Sequence, residues 1–265
     1  MSLIKNSFWN LCGYVLPAIV TLPALGIMGR KLGPELFGVF TLALAVVGYA
    51  SIFDAGLTRA VIREVAIEKD NEENKLKIIS SATVVIIYLS LAASLLLFFF
   101  SGHIALLLNI SETFFHNVSV SLKILAASIP LFLITQIWLS ILEGEERFGL
   151  LNIYKSITGV ILAISPALFI LIKPSLMYAI IGLVLARFLC FILAFIICHD
   201  KVLKAKLTID IPTIKRLFMF GGWITVSNII SLCYHILIGL LFQINLGLLM
   251  LLFILHHQKL FLGLV

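Results

Sequence analysis

The chain has 265 residues, of which 62% are hydrophobic and 12% charged, with a mean hydropathy of +1.17. A water-soluble domain of this size carries roughly a quarter charged residues, so this composition excludes a cytosolic enzyme, a secreted globular domain and a disordered segment. The 19 Lys and Arg set against 13 Asp and Glu matter through their placement, and the class that remains is an all-α, polytopic helical membrane protein.

A hydrocarbon slab roughly 30 Å thick needs about 20 mostly apolar helical residues, and the absence of strict alternation argues against a barrel. Spans are expected at 8–29, 36–54, 78–100, 118–142, 153–172, 175–198 and 218–241, with a possible eighth near 244–264. Asn6 to Gly29 is uncharged for 24 residues, too long for a signal-peptide core, so the first span is read as retained. The expected layout is one six-helix transmembrane bundle over 1–217, followed over 218–265 by a seventh helix and a divergent hydrophobic tail.

Orientation follows from the basic residues of the loops. Segments 59–77 and 199–217 carry five each (Arg59, Arg63, Lys69, Lys75, Lys77; Lys201, Lys204, Lys206, Lys215, Arg216), and Arg147 and Lys5 fall on the same side. Arg30, Lys31 and Lys173 are the three on the other side. This places the N-terminus in the cytoplasm. Pro34, Pro174 and Pro212 are expected in loops, while Pro17, Pro23, Pro130 and Pro166 lie inside spans, where each removes a backbone bond and kinks the helix. Gly182, Ala186 and Cys190 form a stripe of small residues suited to close helix approach.

Four positions or groups of charge are candidates for function. Arg187 lies in the middle of the sixth span, where a charge costs about 2.5–3.5 kcal/mol on insertion scales; it is either tethered to backbone carbonyls or the wall of a wet, cationic cavity. Lys123 sits about a turn and a half inside the fourth span and either snorkels or faces a cavity. Lys155 reads as an interfacial anchor. Arg59 and Arg63 share a helical face after Asp54 and repel slightly unless an anion, from a lipid headgroup or a diphosphate, sits between them. Apart from boundary Asp54 no carboxylate lies inside a span, which leaves no candidate for a proton or sodium site. No Walker loop occurs. Cys12, Cys190, Cys198 and Cys233 and the six histidines have no metal-ligand spacing. No cofactor is expected.

The run "NLCGYVLPAIVTLPALGIMGRKLGPELFGVFTLALAVVGYASIFDAGLTRAVIREVA", with Arg30-Lys31-Leu32-Gly33, Phe37-Gly38 and Asp54-Ala55-Gly56-Leu57 followed by Arg59 and Arg63, resembles the opening of bacterial O-antigen flippases. These are polysaccharide transporters of the multidrug/oligosaccharidyl-lipid/polysaccharide exporter superfamily. "EGEERFGLLNIYKSITGV" and "FMFGGWITVSNIIS" are similar to that family's turn into the fifth helix and start of the seventh. The resemblance covers roughly residues 1–231. It implies two six-helix bundles around a central cavity and a carrier, not an enzyme, that moves an undecaprenyl-diphosphate-linked O-antigen unit across the inner membrane. The partners implied are the lipid-linked oligosaccharide, membrane lipids and the O-antigen polymerase machinery, with no nucleic acid. An anionic diphosphate crossing a low-dielectric path needs cations along it, and Arg187, Lys123, Arg59 and Arg63 are the candidate substrate-binding residues.

The family pattern is expected to continue for about twelve helices, whereas from residue 231 leucine takes 13 of 35 positions and no acid follows Asp210. The chain therefore reads as truncated, with a reading-frame change near Ser231. The competing function is an inactive or scaffolding fragment of such a transporter. An intramembrane glycosyltransferase would need more acidic and polar residues than the loop 101–117 holds, and an exporter of cationic drugs would need intramembrane acids.

Overall fold

The computed structural model describes residues 3–49, 54, 56–107, 111–206, 208–227 and 230, with side chains from residue 15 onward except at 49, 107, 112 and 113. Among the described residues every regular element is helical, and five segments are long and apolar enough to cross a membrane. The protein is a polytopic, all-α membrane protein. Residues 1–222 form one compact unit and 223–265 another; of the second, 223–227 and 230 are described and helical. Most of the expected seventh span and all of the possible eighth, with Cys233 and His256-His257, lie outside the described residues.

Helix α1 (Leu3–Tyr49) carries the first two expected spans on either side of Gly33, whose φ of 76° and ψ of 169° break the helix. Pro34 follows at the start of the second arm, where its missing N–H costs nothing. Thr21 and Leu44 line one small cavity, although 23 residues of straight helix would hold them about 34 Å apart. The two arms therefore fold back on one another at Gly33.

Helix α2 (Leu57–Ile67) is amphipathic and buries Leu57, Ala60, Val61, Glu64 and Val65 at helical spacing. Its entry explains the Asp54-Ala55-Gly56-Leu57 motif. The Gly56 N–H donates to Asp54 Oδ1 at 2.7 Å, and Gly56 has a φ of 72°. A Cβ added there would stand 2.2 Å from the Gly221 carbonyl oxygen. Helix α3 (Glu72–Leu107) follows.

The expected fourth span is two helices, α4 (Glu112–Ala126) and α5 (Ser128–Gly144), parted at Ala127. Pro130 causes the break, since its ring displaces the carbonyl four residues earlier. That carbonyl, of Ala126, accepts a bond from Ser94 Oγ of α3 at 2.8 Å, so the neighbouring helix satisfies what proline freed.

Helices α6 (Phe148–Ile172) and α7 (Leu176–Lys204) pack along the small-residue stripe. Gly182, Ala186 and Cys190 are all buried. A Cβ on Gly182 would meet the Ser165 carbonyl oxygen at 2.9 Å, and Ser165 Oγ donates to the Gly182 carbonyl at 2.7 Å. The arms of α1 cover α6, with Gly159 so close to Pro17 that a Cβ would stand 2.6 Å from its ring.

Helix α8 (described over 211–227) starts earlier than the expected 218. Asp210 caps it by accepting from the Thr213 N–H at 3.0 Å. Pro212 is therefore in the first turn of a helix and not in a loop, a position where no intrahelical donor is lost. The segment before it is tied to α3: the Thr208 N–H donates to Ser80 Oγ at 2.6 Å and the Asp210 N–H to Ser81 Oγ at 3.1 Å.

Candidate functional site

Helices α5, α6 and α7 each turn one stripe toward a cavity of about 240 Å³. The α6 stripe is Lys155, Thr158, Gly159 and Leu162, the i, i+3, i+4, i+7 spacing of a single helix face. Helix α5 contributes Phe132, Thr135 and Gln136, and α7 contributes Arg187 and Cys190. A second cavity of about 170 Å³ adjoins it and shares Arg187, Gly159 and Leu162 as lining. Among the described residues no acidic one lines either.

Arg187 has an unusual environment. Its guanidinium carbon lies 4.5 Å from the centre of the Phe132 ring, and its buried Nε has no hydrogen-bond partner. Arg59, Arg63, Arg147 and Arg216 are each paired with a carboxylate, whereas among the described residues Arg187 has none. A ring face attracts a cation through its quadrupole without cancelling its charge. The guanidinium is charged at any physiological pH, so the cavity wall stays positive and open to an anion. Tyr154 is turned away from that role, its hydroxyl donating to the Cys190 carbonyl at 3.0 Å, which fixes α6 against α7 beside Arg187.

The sequence-derived candidates do not gather in one place. Arg187 is on the cavity wall. Lys123 is exposed, lies outside both cavities and stands 5.7 Å from the centre of the Phe98 ring. Arg59 and Arg63 lie on α2 in a network of protein carboxylates: Arg63 meets Glu64 at 2.7 Å, Arg216 meets the same Glu64 at 3.6 Å, and Arg59 stands 3.9 Å from Glu143. Arg59 and Arg63 thus each have a protein carboxylate of their own as partner. Arg63 also covers the Phe220 ring at 4.6 Å. Around this network Lys201 pairs with Glu145 and Lys75 with Glu72.

Lys155, which the sequence suggests as an interfacial anchor, lines the larger cavity together with Arg187. It and Gln136 are the site residues that sequence reasoning missed. The available signal was the small and polar stripe Lys155, Thr158, Gly159 on an otherwise apolar helix.

The family model for polysaccharide biosynthesis proteins matches residues 3–249. A Shigella flexneri protein that bears the name of an O-antigen transporter is 46% identical over 231 residues, which are 87% of this chain and 55% of that protein. Among solved structures, a MOP superfamily transporter from Pyrococcus furiosus superposes with a TM-score of 0.70 at 14% identity, covering 87% of this chain and 54% of that one. An outward-facing multidrug resistance MATE family transporter of the same superfamily gives 0.69 at 13% identity, with the same 87% and 54% coverage. These two share the fold. The chain spans about half the length of the relatives it matches.

Proposed function

We propose a carrier function, and its premise is that this chain belongs to the polysaccharide biosynthesis protein family. The substrate is an oligosaccharide unit of O-antigen on an undecaprenyl diphosphate, moved from the inner to the outer leaflet of a bacterial inner membrane. The N-terminus and the basic helix α2 are on the cytoplasmic side. Residues 1–217 are a first six-helix bundle, working by alternating access against the helices that follow.

The observation that carries this reading is a guanidinium at mid-helix in an acid-free cavity, held by an aromatic ring instead of a carboxylate. A cation kept unneutralised within a membrane is costly, and a passing diphosphate supplies the missing counter-charge. Lys155, on the same cavity, adds a second positive group that can follow the diphosphate on its stem. Lys123, Arg59 and Arg63 lie outside the cavities, and Arg59 and Arg63 already have protein carboxylates as partners. The acid-free cavity also disfavours a cationic cargo.

Expression in a strain lacking its own O-antigen flippase tests the reading. Restored surface polysaccharide, lost on Arg187→Met at equal membrane abundance, supports it. Correctly inserted protein that restores nothing favours the scaffolding reading.

A further inference from the structure

The smaller cavity has a different chemistry from the larger one. Leu25, Met28, Phe40 and Leu44 of α1 face Ala163 and Leu183 across about 170 Å³. The hydroxyl of Thr21, its one uncharged polar group, is spent on the Pro17 carbonyl at 2.7 Å. An apolar space of about 150 Å³ accepts a molecule the size of benzene, so this one has room for a five- or six-carbon group. Its single charged boundary is Arg187, where it meets the larger, cationic cavity.

We propose that this cavity is a second subsite for the transported lipid, taking the first branched five-carbon unit of a hydrocarbon chain whose diphosphate lies beside Arg187 and Lys155. The inference rests on the anion reading above and adds to it where the lipid begins. The two subsites adjoin, with Arg187, Gly159 and Leu162 lining both. A ligand filling both has its phosphate bonded next to its hydrocarbon, as in a polyprenyl diphosphate. A phosphoglyceride does not fit that spacing, because a glycerol and its ester groups separate phosphate from chain. Gly159 makes the junction possible: lacking a side chain, it lets Pro17 approach and brings the lining face of α1 up to Arg187.

The test uses the full chain in lipid nanodiscs with three probes: inorganic pyrophosphate, dimethylallyl diphosphate and dioctanoyl phosphatidic acid. Dimethylallyl diphosphate is expected to bind at least about tenfold more tightly than pyrophosphate, since it buries five apolar carbons. Ala163→Phe, which fills the smaller cavity, should abolish that advantage and leave pyrophosphate affinity unchanged. Equal binding of the two diphosphates to the unsubstituted chain, an equal loss of both in Ala163→Phe, or displacement by phosphatidic acid at the same concentration would overturn the subsite and leave the anion reading standing. Pyrophosphate binding indifferent to Arg187→Met would overturn both. A measurement without substitution runs alongside: a diazirine analogue of dimethylallyl diphosphate should label residues between 21 and 44 or around 163, and labelling confined to other segments would refute the proposal.

Discussion

Exchanging Arg187 for methionine separates a cation kept for a ligand from one kept for structure, because the two readings differ in the sign of the stability change. Methionine keeps an unbranched chain of similar length and loses the charge. Relief of the insertion cost is worth about 2.5–3.5 kcal/mol, and the lost ring contact with Phe132 gives back about 0.5–2 kcal/mol. The expected outcome is a protein more stable by about 0.5–3 kcal/mol, read as equilibrium unfolding in mixed micelles, and inactive in export. Were the arginine locked into a satisfied buried network, its removal would cost about 3–5 kcal/mol. A loss of that size in Arg187→Met would refute the reasoning. Phe132→Leu completes a double-mutant cycle with it, and the expected coupling is about 0.5–2 kcal/mol; no coupling would mean that the ring does not hold the guanidinium.

Three further outcomes are expected. Gly56→Ala should destabilise the protein by more than about 2 kcal/mol in the same unfolding assay, since it forces a residue with φ of 72° and a Cβ against the Gly221 carbonyl. Glu64→Ala should cost about 1–3 kcal/mol, because a carboxylate only 6% exposed is removed from Arg63 and Arg216, themselves 49% exposed and able to recover water. Hydrogen bonds from the Thr213 hydroxyl and N–H hold the Asp210 carboxyl below the usual carboxylate range. Its stabilising effect is therefore complete above the ordinary carboxylate pKa and fades as pH falls through the lower folded value. Asp210→Asn should lower the unfolding temperature at pH 7, and the gap from the parent should close in strong acid; a gap constant with pH would contradict this cap.

Hydropathy makes the places of the apolar helices legible, along with the turn at Gly33-Pro34 and the unusual charge at 187, because each depends on residues adjacent in sequence. The small stripe through Gly182 was legible for the same reason, and it packs on Ser165 and Pro166. Rotation about a helix axis was not. Lys123 and Lys155 are each a lone lysine in an apolar run, yet one lies exposed beside Phe98 and the other lines the cavity with Arg187. Which face is inward depends on the neighbouring helix, and for α6 that is set by contacts as distant as Pro17. The partners of Arg59 and Arg216, Glu143 and Glu64, were hidden by similar separations in the chain. The start of α8 is not legible because Pro212 reads as a stop, when two residues after a capping Asp it belongs to the first turn.

The reading stands or falls on whether an anionic lipid crosses the bilayer past Arg187. Reconstitution of the full chain in proteoliposomes with a fluorescent, sugar-bearing polyprenyl diphosphate measures this through the fraction of label that an external quencher can reach over time. The expected result is equilibration between leaflets with the unsubstituted chain and at least about a tenfold slower rate with Arg187→Met, for an interaction worth about 1.4 kcal/mol or more in the crossing. Equal rates for the two proteins would contradict the account.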